Sequence, residues 1–130
     1  FILETHKEEK MLDTRTYQEL SNLKEKCWEI AEEKGWHDVP RSFGDLIALC
    51  HSELSEALEE FRKHGLDPEF MMYTYASNME KPEGIAVELA DLLIRIFDMS
   101  RELNIPIFSA LDWKMDYNKT REYRHGNKRI

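Results

Sequence analysis

The chain has 130 residues, the usual length of one domain, with 42% apolar and 34% charged residues and a formal net charge of −8. That charge argues against a binder of nucleic-acid polymers, which needs a basic surface, but permits a nucleotide substrate whose charge is neutralised by metal ions. No apolar run reaches the roughly 18 residues that cross a bilayer, and Phe1 to Lys10 is too charged for a signal peptide. The expectation is one cytoplasmic all-α domain over residues 1–130, with 1–12 and 125–130 as flexible ends. Met11 is a candidate natural start, which would make the residues before it a leader. Cys27 and Cys50 fall in predicted helices without CxxC or Cys/His metal spacing, and read as reduced small hydrophobes.

In chain order, Thr16 with Glu19 has the spacing of a capping box for a first helix that runs to Gly35. After a loop with Pro40, Ser42 and Asp45 open a second helix, whose stripe is Phe43, Leu46, Ile47, Cys50, Leu54, Leu58 and Phe61, ending at Gly65. Asp67-Pro68 begins a segment with Phe70, Met71, Met72, Tyr73 and Tyr75 that reads as a short helix or a loop, and no period-2 strand is predicted anywhere. Pro82 suits the first position of a third helix to Leu103, and Pro106 that of a fourth helix to about Arg124. The fold class predicted is all-α, a four-helix-bundle-like arrangement. The third helix carries Ala90, Leu93, Ile94 and Phe97 beyond its main stripe of Ile85, Leu89, Leu92, Ile96, Met99 and Leu103. A helix apolar nearly all round needs cover on more than one side, which predicts a homodimer or a dimer of dimers.

Two acidic pairs stand out. At about 100° per residue, Glu53 and Glu56 lie on one flank of the second helix's stripe, and Glu88 and Asp91 on the corresponding flank of the third. Each pair is spaced i, i+3, so its carboxylates project from one face on adjacent turns. Antiparallel packing would bring four acids to one point, where like charges raise carboxyl pKa values unless a cation intervenes. Magnesium suits such a set of hard oxygen ligands, although one ExxE on a solvated face is common by chance. On the fourth helix Lys114, Asn118 and Arg121 fall at i, i+4 and i+7, the pattern of a phosphate clamp or of an ordinary solvated face.

The run Leu49-Cys50-His51-Ser52-Glu53-Leu54-Ser55-Glu56-Ala57-Leu58-Glu59-Glu60-Phe61, followed by Val87-Glu88-Leu89-Ala90-Asp91, resembles the MazG-like all-α nucleotide pyrophosphohydrolases. Lys114-Met115-Asp116-Tyr117-Asn118-Lys119-Thr120-Arg121 and Arg124 to Lys128 are similar to that family's C-terminal signature, so the likeness spans about Trp36 to Lys128. The resemblance implies that Glu53, Glu56, Glu88 and Asp91 bind Mg2+, with Mn2+ as a substitute. It implies hydrolysis of a (deoxy)nucleoside triphosphate between its α- and β-phosphates to a monophosphate and pyrophosphate, in nucleotide-pool housecleaning. Glu53 or Glu56 would orient the attacking water. Lys114, Asn118, Arg121 and Lys128 would bind phosphate, and Trp36 the base. Arg95 reads as a phosphate contact or, preferably, a salt bridge holding Asp91; His51 reads as a packing or interface residue. The 31 residues between Glu56 and Glu88 are many for this family, and the excess falls between Asp67 and Lys81.

Two other readings compete. A di-iron carboxylate bundle needs two Glu-x-x-His motifs, and only Glu122 to His125 has that spacing. A non-catalytic helical module, binding nucleotides or a regulatory partner, would keep the fold without the chemistry.

Overall fold

The computed structural model describes residues 11–129; the expected leader before Met11 lies outside the described residues. The chain is mostly helical: α1 (Thr14–Glu33), α2 (Phe43–His64), α3 (Ile85–Glu102), α4 (Ile107–Thr120) and a final short turn of helix, α5 (Arg124–Asn127). The expected all-α character holds, with one addition. A 3-10 turn at Pro68–Phe70 leads into an antiparallel hairpin of β1 (Tyr73–Tyr75) and β2 (Asn78–Glu83). This corrects the expectation of no strand. The cue is slight: Tyr73-Thr74-Tyr75 suits a strand, but Asn78 to Glu83 has little β preference. Pro82, expected to start a helix, instead sits in β2, where a two-stranded ribbon tolerates a missing N–H.

Helix termini follow local chemistry. The first helix starts earlier than its expected capping box: Asp13 is the N-cap, and its carboxylate accepts the Thr16 N–H at 2.7 Å. That bond holds the Asp13 carboxyl below its ordinary pKa. The second helix opens as expected on Ser42, whose hydroxyl accepts from the Asp45 N–H while Asp45 accepts from the Ser42 N–H. It closes at Gly65, with φ +63°. The third helix begins at Ile85, three residues after Pro82, behind an N-cap glycine. Only glycine fits there: a Cβ on Gly84 would lie 2.3 Å from the Met71 carbonyl oxygen, at φ +118°. The fourth helix ends at Thr120, four residues short of expectation, and Arg124, His125, Gly126 and Asn127 take positive φ in the turn beyond it.

In the packing, α3 lies against both α1 and α2, and α4 against α1. The α1–α4 contact is a small polar and aromatic lock. Phe108 is buried edge-on to Tyr17, the Tyr17 hydroxyl bonds Ser109, and the fully buried Asp112 accepts the Met11 and Leu12 N–H groups at 2.7 Å each. Met11 and Leu12, expected within a flexible end, are thus tied to α4. Among the described residues the buried apolar side chains are few: Leu46, Ala57, Met99 and Phe108. Glu53, Glu60, Asp98, Ser100 and Asp112 are buried beside them. No helix of the described residues is long and apolar enough to cross a membrane.

Candidate metal centre

The seam between α2 and α3 is lined by acids. On α2, Glu53, Ala57 and Glu60 recur at i, i+4 and i+7 and are buried. On α3, Glu88, Asp91, Arg95 and Asp98 follow one another at i, i+3, i+7 and i+10 along one face. The helices run antiparallel, so Glu56 meets Glu88 while Glu53 meets Arg95 further along.

One carboxylate oxygen each from Glu53, Glu56 and Glu88 lies within 4.8 Å of the others. Asp91 is half-buried one turn beyond Glu88, close enough to feel the charge of Glu53. Burial, a hydrogen bond with Glu56, and the charges of Glu56, Asp91 and Glu53 together push the Glu88 carboxyl up to about 7. Burial and the Glu53 charge raise Asp91 as well, against the opposing pull of Arg95. At that value the carboxyl is part-protonated near neutral pH, first because burial disfavours its charge and then because neighbouring carboxylates crowd it.

These residues fit a divalent cation. All donors are hard carboxylate oxygens, the preference of magnesium rather than of a soft metal. Two oxygens on one magnesium are at most about 4.2 Å apart, twice its usual bond length. The observed spread of up to 4.8 Å is slightly wider than that, and Glu56 is the exposed member of the three. Arg95 does not hold Asp91 as expected; its guanidinium donates to Glu53 at 2.5 Å. Glu53 therefore carries a cationic partner already, which an incoming metal would share or displace.

Beside the seam is a cavity of about 300 Å3, with Trp36, Arg41, Glu53, Asp91, Arg95 and Asp98 in its wall. Trp36, expected to contact a base, is 61% exposed and shares this cavity with two of the four acids. Sequence reasoning missed the polar floor behind it. The His37 side chain is 6% exposed, its Nδ1 at 2.5 Å from Glu32 and its Nε2 at 2.7 Å from Asp98. Arg41 reaches Asp98 at 3.4 Å, and the imidazole stacks on Trp28 at 5.1 Å. Burial alone would lower the His37 pKa, but the two carboxylates outweigh it and raise it. Both ring nitrogens face acceptors, so the imidazolium is the form that satisfies both. Extending the Glu88, Asp91, Arg95 row by one turn identifies Asp98; nothing in the sequence singles out His37.

Of the four expected phosphate ligands, Lys114, Arg121 and Lys128 share one neighbourhood around His125. Lys114 and Arg121 lie over the Tyr117 ring at 4.9 and 5.5 Å, and the charges of Arg121, Lys128 and Lys114 lower the pKa of the exposed His125 after its desolvation. Asn118 is exposed on the same helix. Among the described residues no ion pair joins Lys114, Arg121 or Lys128 to the acidic seam, and the charges acting on Glu88 are those of Glu56, Asp91 and Glu53. His51, expected as a packing or interface residue, is exposed in the chain and is not among the clustered acids. No family model, curated protein or solved structure matches the chain.

Proposed function

We propose that the chain is a magnesium-dependent nucleoside triphosphate pyrophosphohydrolase of the MazG-like kind, cleaving between the α- and β-phosphates. The observation that carries this reading is the convergence of Glu53, Glu56 and Glu88 from two antiparallel helices, with Glu88 raised to about 7. Such a cluster is costly to keep charged without a cation, and it borders a cavity bearing an exposed tryptophan.

Magnesium, when bound by Glu53, Glu56, Glu88 and Asp91, would supply charge neutralisation on the phosphate oxygens. Glu56 is the better choice to orient and deprotonate the attacking water, because Glu53 is engaged by Arg95. Trp36 offers a stacking face for the base at the cavity rim. Lys114, Asn118, Arg121 and Lys128 would bind the leaving pyrophosphate. Since Lys114, Arg121 and Lys128 make no ion pair with the acidic seam among the described residues, this reading has α4 of one copy serving the acids of a second. The exposed apolar face of α2 and α3 favours such a homodimer or dimer of dimers. The reaction class suits a cytoplasmic enzyme of the nucleotide pool.

A panel of canonical and modified nucleoside triphosphates, assayed with magnesium, tests the proposal. Release of pyrophosphate and not orthophosphate from at least one is expected. Absence of release from all of them overturns the catalytic reading in favour of a helical binding module.

A further inference from the structure

The hairpin between the acidic helices is fixed on both sides of the cluster. On the α2 side, the Tyr73 hydroxyl donates to buried Glu60 at 2.8 Å, and Phe70 stacks on His64 at 4.1 Å. Glu60 is one turn beyond Glu56. On the α3 side, the Met71 carbonyl accepts the Ala86 N–H at 3.1 Å and crowds Gly84, two and four residues before Glu88. β2 runs into α3 through Gly84 alone. The anchors Glu60, Gly84 and Ala86 thus lie within about one helical turn of Glu56 or Glu88.

Lys81 rides on β2, two residues before Glu83. Its ammonium reaches Glu83 at 2.8 Å, and the charges of Glu88 and Glu56 act on it too. The lysine side chain is 66% exposed while Glu83 is 15% exposed, so the cation stands at the open side of the cluster on a long, flexible stem. The exposed ammonium of this pair can exchange Glu83 for a more highly charged partner, since solvent screens the exposed end. A polyphosphate is such a partner, with several oxygens able to accept charge-assisted hydrogen bonds. Arg95, the other cation of the cluster, is instead committed to Glu53.

We propose that Lys81 is a phosphate-binding residue, its ammonium leaving Glu83 for a non-bridging oxygen of a polyphosphate held at the Glu53, Glu56 and Glu88 carboxylates. The choice of ligand class rests on the pyrophosphohydrolase reading; the position of the lysine does not. The hairpin is then a substrate-contacting arm, and the long Asp67 to Lys81 connection has a function in binding the phosphate chain.

Calorimetric titration of the full chain with magnesium alone, and then with inorganic pyrophosphate in saturating magnesium, tests this directly. In Lys81→Gln, pyrophosphate binding is expected to weaken about tenfold, with magnesium binding alone unchanged or tighter, and Lys81→Arg is expected to restore most of the loss. Pyrophosphate binding by Lys81→Gln equal to that of the unaltered chain overturns the proposal. If the unaltered chain still releases pyrophosphate from a triphosphate, the pyrophosphohydrolase reading survives that result. An unaltered chain that binds magnesium but no pyrophosphate, and turns over no triphosphate, overturns both.

Discussion

Two rows of α2, offset by a single residue, behave in opposite ways. Glu53, Ala57 and Glu60 are buried, whereas Leu54, Leu58 and Phe61 are each about half exposed. On α3 the contrast repeats: Asp98 is buried and Asp91 half-buried, while Leu89 and Leu93 face outward. Hydrophobic burial alone would turn both helices by about 100° and hide the leucines. The observed rotation places carboxylates in the intrachain seam and leaves an apolar face over. The lesson is that this helix pair is arranged around its charges. The leucine face is then available for a second copy, where burying each such side chain is worth about 1.5–3 kcal/mol relative to full exposure.

The largest effect is expected from the acidic side of that contrast. Glu56→Ala, at an exposed position of the cluster, is expected to lower magnesium-dependent pyrophosphate release by about a thousandfold while circular dichroism keeps its helical signal. Asp91→Ala is expected to do the same. Full activity in either variant would mean that the acidic row serves packing and not chemistry.

The apolar side breaks differently. Leu58→Glu puts a charge in the middle of the leucine row, and light scattering at micromolar concentration is expected to show a dimer or tetramer for the unaltered chain and a monomer for the variant. On a free monomer surface the same change is within about 0.5 kcal/mol of neutral. A monomeric unaltered chain with an unchanged variant would remove the reason for the exposed leucines.

The smallest effect concerns the polar floor beneath the cavity. His37 is raised in the folded chain, so the fold binds its proton more tightly than the unfolded chain does. Its contribution is complete below the ordinary histidine value of 6.5 and is lost as pH rises through the raised value in the folded state. His37→Gln is expected to lower Tm by a few degrees at pH 6, about 1–2 kcal/mol, with a smaller difference at pH 9. Equal differences at both pH values would mean that His37 acts through packing alone.

Much of the helix placement was legible locally. Ser42 with Asp45 gives the start of α2, Gly65 its end, and the i, i+3 spacings of Glu53/Glu56 and Glu88/Asp91 put each pair on one face, because capping and helical period depend on neighbours a few residues away. The cap of α1 was misplaced by three residues, since Asp13 and Thr16 both suit an N-cap and only the backbone path selects between them.

What the sequence by itself determined is the helical period, the acidic pairs and the excess of apolar residues on α3. The tertiary structure alone decided which face of each helix turned inward and that Arg95 meets Glu53 instead of Asp91. It also decided that Asp67 to Glu83 holds a hairpin, fixed by Glu60 and Gly84 from the two flanking helices. The physical reason is common to all of these: rotation of packed helices and docking of a weak strand pair depend on contacts between residues far apart in the chain. The acids are therefore visible in sequence as pairs, and Glu53, Glu56 and Glu88 become one cluster, with Asp91 a turn beyond, only when α2 and α3 pack antiparallel.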